Sequence, residues 1–342
     1  MINLAIQSYD DIQTYLDISY KTGGGTCTLD SGTHTLTADL IIPSGVTLKG
    51  VSRDNCIIEC GDFSVRIEGT DVYNTGDISI TTGTTTVIGI ATTFVDSMIG
   101  QNIWLQDNWY EIVSITSETE LEVIDIYTGT TLTNETNYVI STINLMAQIW
   151  DLTIQNSTGS ALVANYTREV VLNNVNFYTS AIGIEMNYCL YPRILMSADY
   201  NEVGAVWNYV WGYDINFSEF SYSTVGAGLE MTNCGNANMY SSSFNSNTTN
   251  GITMTSCIGN PIDSCDISNN GTNGIELVSN CNQNSASGVT SFNNNGTYGI
   301  SINDATSTDN ILAGVIAIGN GTANLLDSGT GTLKSLTVNI LP

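Results

Sequence analysis

The sequence predicts an all-β fold: a right-handed single-stranded parallel β-helix with an N-terminal capping helix and an inserted small antiparallel β-domain. Three observations predict it. A repeat of about 23 residues runs through the C-terminal half, the polar residues are those of strands and turns, and one long stretch breaks the repeat.

The repeat comes first. Aligned on a small residue followed by an apolar one, the chain reads GLEMTNC from Gly228, GITMTSC from Gly251, GIELVSNC from Gly274 and GISINDAT from Gly299, in steps of 23, 23 and 25. GIEMNYC from Gly183, AVWNYVW from Ala205 and SALVANY from Ser160 extend the series backwards. A second apolar column, Ile154, Phe177, Phe244, Ile267 and Phe292, stands six or seven residues before the small residue that opens the next motif. Asn- and Gly-rich corners such as NSNTTNG and SNNGTNG separate the columns, and those residues supply left-handed backbone angles most readily. Such a period means a solenoid or propeller, and the 3.6-residue spacing of helical repeats is missing.

Stacked coils place equivalent side chains about 4.8 Å apart, so Cys189, Cys234, Cys257 and Cys281 form an interior ladder. This alignment puts Tyr166 and Trp211 in the same column, where Trp211 needs extra width or must point outward. The eight cysteines admit four disulfides, but no CxxC pair occurs and buried thiols are the preferred reading.

Composition narrows the function. Hydrophobic residues make up 42% of the 342, enough to fill a long core. Only 7 Lys and Arg oppose 33 Asp and Glu, and a net charge of −26 cannot build the basic stripe that phosphate backbones require, so nucleic acid is excluded as a partner. No run of 18 apolar residues suggests membrane insertion, and the N-terminus lacks the basic and apolar regions of a signal peptide.

The N-terminal segment SYDDIQTYLDISYKTGGGTCTLDSGTHTLTADLIIPSGVTLKG begins with an amphipathic stretch that suits a cap on an open solenoid end. From Ser8 to Gly50 it resembles the start of pectate-lyase-like β-helix proteins, including bacteriophage tailspikes, which open with a capping helix, a GGGT turn, a strand pair and a SGVTLKG coil. Residues 71–142 alternate as antiparallel strands and resemble a small β-domain of phage tail and fibre proteins, through a G-T-rich hairpin, ATTF, IGQNI, WYEI and YTGTT. The expected organisation is therefore residues 1–70 as cap and first coils, 71–142 as insert, 143–330 as main stack and 331–342 as a capping or partner strand.

The fold resemblance implies a superfamily that holds lyases, hydrolases, adhesins and inert stalks, so chemistry must be sought in the residues. The related pectin hydrolases use aspartate pairs with a GHG histidine and an RIK segment, whereas the one histidine here is His34 in the N-terminal strand pair. Calcium-loop patterns are missing too, and no metal or cofactor is expected.

One neighbourhood concentrates functional residue types. Tyr188, Tyr191, Tyr200, Trp207, Tyr209, Tyr213, Tyr222 and Arg193 are the glycan-binding candidates, because sugar rings stack on aromatic faces while carboxylates and amides bind their hydroxyls. These aromatics could instead fill a widened interior or an inter-subunit contact. No catalytic set is assigned. Should hydrolysis occur, Asp199, Glu202, Asp214 and Glu219 are the carboxylates from which an acid and base pair would come.

The expected function is a bacteriophage virion structural protein, a tail fibre, tail spike or capsid-attached appendage with host-surface glycan recognition. A depolymerase acting on host capsule or lipopolysaccharide is the alternative. Expected partners are other virion proteins, host cell-surface polysaccharide and further copies in a homotrimer. The expected location is the virion surface, after synthesis in the host cytoplasm.

Overall fold

The computed structural model of the protein describes residues 9–288, 291–334 and 339–340. Strands alternate buried and half-exposed positions, as in Val46–Gly50 and Cys56–Gly61, so one set of side chains enters a common core and the other faces out. Coils of 21 to 26 residues carry these strands upward by one rung each, as bonds between equivalent positions show.

The result is a right-handed parallel β-helix of about 13 turns. One parallel sheet runs from Gly25–Leu29 through Val46–Gly50, Gln148–Trp150, Val171–Tyr178 and Arg193–Asp199 to Leu333–Lys334. A second runs from Leu40–Ile41 through Val65–Glu68, Ser160–Arg168, Ile182–Leu190 and Val203–Trp211 to Ala323–Asp327. Part of residues 331–342 lies outside the described residues. The described strands there, Leu333–Lys334 and Asn339–Ile340, pair in parallel as further rungs.

The helix Tyr9–Lys21 closes the N-terminal end by burying Ile12 and Leu16 over the first coils. Gln13 completes the cover. Its Oε1 accepts the backbone N–H of Ile41 at 2.8 Å and its Nε2 donates to the Ile41 carbonyl at 3.1 Å, so the side chain takes the place of a further strand at that edge. The turn after the helix needs glycine at Gly24, where φ is +93° to +95° across Gly23 and Gly24 and a Cβ on Gly24 would sit 2.6 Å from the Gly45 carbonyl oxygen.

Inside the coils the side chains form ladders. Phe220 stacks on Phe244 at 5.0 Å and 4°. Asn247, Asn270 and Asn295 form another: each donates its Nδ2 to a backbone carbonyl of the previous rung, and each backbone N–H bonds the next asparagine's Oδ1. Every buried polar atom used here has a partner, which makes a wet residue type tolerable in a dry corner.

All eight cysteines are free and buried. The ladder Cys189, Cys234, Cys257 and Cys281 is present, but its other members are Thr167 and Val210 rather than Tyr166 and Trp211. The correction is a slip of one residue. Ala161 and Gly204, rather than Ser160 and Ala205, are the counterparts of Gly183, and in a strand one residue moves a side chain to the other face. Trp211 accordingly points outward and lies over Gly235, whose Cβ would come within 2.8 Å of its ring.

The glycine column that closes the corners has a different use. Gly228, Gly251, Gly274 and Gly299 do not adopt positive φ. Their role is to let rungs approach, since a Cβ on Gly251 would lie 2.8 Å from the Gly274 carbonyl oxygen. The left-handed residues do sit in the Asn- and Gly-rich corners, at Ser246, Asn269, Asn294 and Gly319, one before the asparagine ladder.

The repeat is interrupted by an eight-stranded antiparallel sheet between Thr70–Tyr73 and Val139–Thr142, which pair with one another. It has its own core, including Ile78, Phe94, Ile103, Tyr110, Leu121 and Tyr138. The stack is unbroken beneath it, because Gln148–Trp150 pairs directly with Val46–Gly50.

Candidate functional site

Two columns of tyrosine decorate the outside of the central coils. In the first, Tyr166, Tyr188 and Tyr209 stand on successive rungs of the second sheet, with ring centroids 5.7 Å apart at 21° and then 4.7 Å apart at 2°. Trp104 of the insert meets Tyr188 edge-on at 5.7 Å and is itself fully buried, with Trp109, Val139, Ile143 and Leu190 around it. This column is the seat of the insert. Burial there pushes the Tyr188 phenol up to about 12.

In the second column, Tyr200 and Tyr222 stack at 4.9 Å and 7°, with Tyr178 tilted against Tyr200 at 5.4 Å. These rings are open to solvent, Tyr200 being 47% and Tyr222 45% exposed. Tyr178 was not among the sequence candidates. The signal for it was strand alternation, since it follows the buried Phe177.

All of the tyrosines at 166, 188, 191, 200, 209 and 222 have φ between 54° and 59°. A bulky side chain in that left-handed region is unusual and costs on the order of 1–2 kcal/mol each. Later rungs of the same columns carry Asn233, Ser256 and Asn280 in one case and Ser246, Asn269 and Asn294 in the other.

Beside the open column lie two carboxylates. Burial lifts the Asp199 carboxyl to about 6, and Glu219 on the next coil adds to the rise, against a hydrogen bond from Ser197 that lowers it. Glu219 is level with Ser197 and one strand over from Asp199. The other two carboxylates do not join them. Glu202 is exposed in the turn after Tyr200, and Asp214 starts a strand beside Arg193, accepting a bond from Asn238 at 3.1 Å.

The remaining candidates scatter. Trp207 and Tyr213 are fully buried in the solenoid core and pack edge-on at 5.1 Å, with Met186 and Met231 on the rungs either side of Trp207. They are core residues and cannot meet a glycan. Tyr191 occupies a separate corner with Arg168 5.8 Å from its ring, and Arg193 is exposed at the opposite end of the strand from Asp199.

Where the covered column leaves the shelter of the insert, a cleft of about 380 Å³ opens between the two bodies. Tyr209, Trp211, Asn233, Ser256, Ile258, Asn280 and Asn282 form its floor, and Gln106, Leu132, Glu135 and Asn137 its wall. Among the described residues no group of three His, Cys, Asp or Glu is placed to hold a metal ion, and no helix is long and apolar enough to cross a membrane.

The sequence matches no protein-family model and no curated protein. Solved structures do resemble it. The tailspike of Pseudomonas phage phi297 superposes with a TM-score of 0.52 at 10% identity, covering 98% of this chain and 68% of that one. The tailspike of Pseudomonas phage LKA1 gives 0.50 at 12% identity, covering 96% of this chain and 56% of that one, so this chain spans about half its length. The A-module of the Azotobacter vinelandii mannuronan C-5 epimerase AlgE4 gives 0.49 at 11% identity, covering 97% and 95%. At such identities the likeness is one of fold: the chain is a right-handed parallel β-helix, an architecture that these two phage tailspikes share.

Proposed function

We propose that the chain is a bacteriophage virion protein, a tail spike, fibre or capsid-attached appendage, that recognises host-surface polysaccharide through the open tyrosine column. The observation that carries this reading is the pair Tyr200 and Tyr222. They hold a strained backbone and expose apolar rings where serine, asparagine and glycine serve on later rungs. Strain that folding does not require points to a function that does. Tyr222, stacked on Tyr200 at 4.9 Å and followed on the next rung by the smaller Ser246, offers its outer face to a sugar, and Asp199 and Glu219 beside the column offer acceptors for its hydroxyls. The fold shared with phage tailspikes supports the placement on a virion, with other virion proteins and further copies of this chain as partners.

The test has two arms. Mass spectrometry of purified virions should find the chain, and the double variant Tyr200→Ala, Tyr222→Ala should weaken attachment to host cells by about tenfold, equal to about 1.4 kcal/mol. Its circular dichroism should be unchanged. Unaltered attachment would remove the open column from the reading, and absence from virions would remove the virion.

Asp199 supports a second reading, a polysaccharide depolymerase. A carboxyl lifted to about 6 by burial, beside a second carboxylate, is placed as a general acid needs to be. Fragments released from host capsule or lipopolysaccharide by the native protein, and not by Asp199→Asn, would establish it.

A further inference from the structure

The cleft between the insert and the solenoid lies apart from the open tyrosine column, and its lining has a pattern. We infer that it is a second saccharide site, for a short neutral segment of acetamido sugars, an inference that rests on the glycan reading above and names where else the chain is held and which sugars it takes.

The floor is a ruler. Tyr209, Asn233, Ser256 and Asn280 occupy one column on four successive rungs, all with left-handed backbone. Rungs lie about 4.8 Å apart, close to the advance of about 5 Å per ring in a pyranose chain, so the four span about 14 Å and face two to three rings in register. The volume also lies within the range of roughly 300–1,000 Å³ usual for small-ligand pockets.

The column changes chemistry at the cleft. Tyr166 and Tyr188 are covered rings, whereas Tyr209 is followed by the shorter Asn233, so the outer part of its ring presents a face along the groove. Trp211 lies beside it over Gly235, which has no side chain to displace it. Beyond them the lining offers amides. Gln106 already accepts at its Oε1 from the Tyr127 hydroxyl at 2.9 Å and from the Thr130 N–H at 3.2 Å, which leaves its Nε2 as the donor to offer.

The ligand class follows from what lines the site. Amide side chains pair donor and acceptor with an acetamido group, and Leu132 and Ile258 supply apolar contact for its methyl. Glu135 is the one charged lining residue, and it raises the Tyr209 phenol further after burial has done so. With that carboxylate in the wall and a net charge of −26 on the chain, a uronic acid is repelled.

The probes are di- to tetrasaccharides of N-acetylglucosamine, N-acetylgalactosamine and N-acetylmannosamine, with tri- and tetragalacturonate as the acidic comparison, measured by saturation-transfer NMR and titration calorimetry. At least one acetamido series should bind, and Asn137→Ala and Asn280→Gly should each weaken it about tenfold, as for a lost hydrogen bond to a ligand. Asn137 is exposed and glycine suits the left-handed angle of Asn280, so neither change threatens the fold. Tyr200→Ala should leave this binding unchanged. The inference is overturned if no acetamido series binds, if galacturonate binds equally well, or if binding ignores both cleft variants. Dependence on Tyr200 alone would sink the cleft and leave the open-column reading standing, whereas loss of attachment control by Tyr200 and Tyr222 on cells would do the reverse.

Discussion

The two tyrosine columns begin from the same local structure and end in opposite surroundings. In each, left-handed tyrosines on neighbouring rungs stack within 5 Å of one another, Tyr188 on Tyr209 and Tyr200 on Tyr222. One is half-buried against the insert, where Trp104 meets Tyr188, and the other is nearly half exposed. The same ladder of stacked rings is covered where the insert reaches it and open to solvent where it does not.

The largest effect should come from uncovering the half-buried column. Trp104→Ala removes a fully buried ring between insert and solenoid and should destabilise by about 3–5 kcal/mol in chemical denaturation. A loss below about 1 kcal/mol would mean that the insert is not seated there. A smaller, differential effect should separate the columns themselves. Tyr188→Ala should cost about 1–2 kcal/mol more than Tyr200→Ala, because only the former loses buried area and the edge contact with Trp104. Equal costs would mean that the insert does not cover Tyr188.

The smallest effect is a dependence on pH confined to the open side. The Asp199 carboxyl stands at about 6 in the folded chain and near 3.9 when unfolded, so the folded state binds the proton more tightly. Stability should rise as pH falls through 6 and level off below about 4. Asp199→Asn should be the more stable protein at pH 7.5 and should lose this increment, which urea midpoints at pH 7.5, 5.5 and 4.5 would read. The Tyr188 phenol, lifted to about 12, contributes nothing across that range.

The repeat was legible because ladders demand like residues on successive rungs, and Phe244, Ile267 and Phe292 or Cys234, Cys257 and Cys281 recur for that reason. The capping helix and the antiparallel insert were legible from the patterning of their own residues. Facing was harder. With a two-residue period, the choice of Ala205 over Gly204 as the anchor moved Trp211 into the core column. Trp207 had a signal of its own in the methionines at the equivalent positions, Met186 and Met231, which mark an interior column. The seat of the insert had none, since the contact of Trp104 with Tyr188 joins distant parts of the chain and leaves no local pattern. The cleft that depends on that contact was hidden with it.

The pairing of Thr70–Tyr73 with Val139–Thr142 has a consequence for how the chain reaches this state. The first coils and the main stack must meet across about 100 residues, as the bond from Thr153 to the Arg53 carbonyl records. Closing so long a loop is slow when the intervening chain is random. The insert is built from antiparallel neighbours, several of them joined by short turns, and these form early. Once formed, it delivers the two ends of the interrupted coil side by side, so that nucleation of the parallel stack becomes a nearly local event. Insertion, which reads as an interruption of the repeat, thus shortens the loop that the solenoid must close.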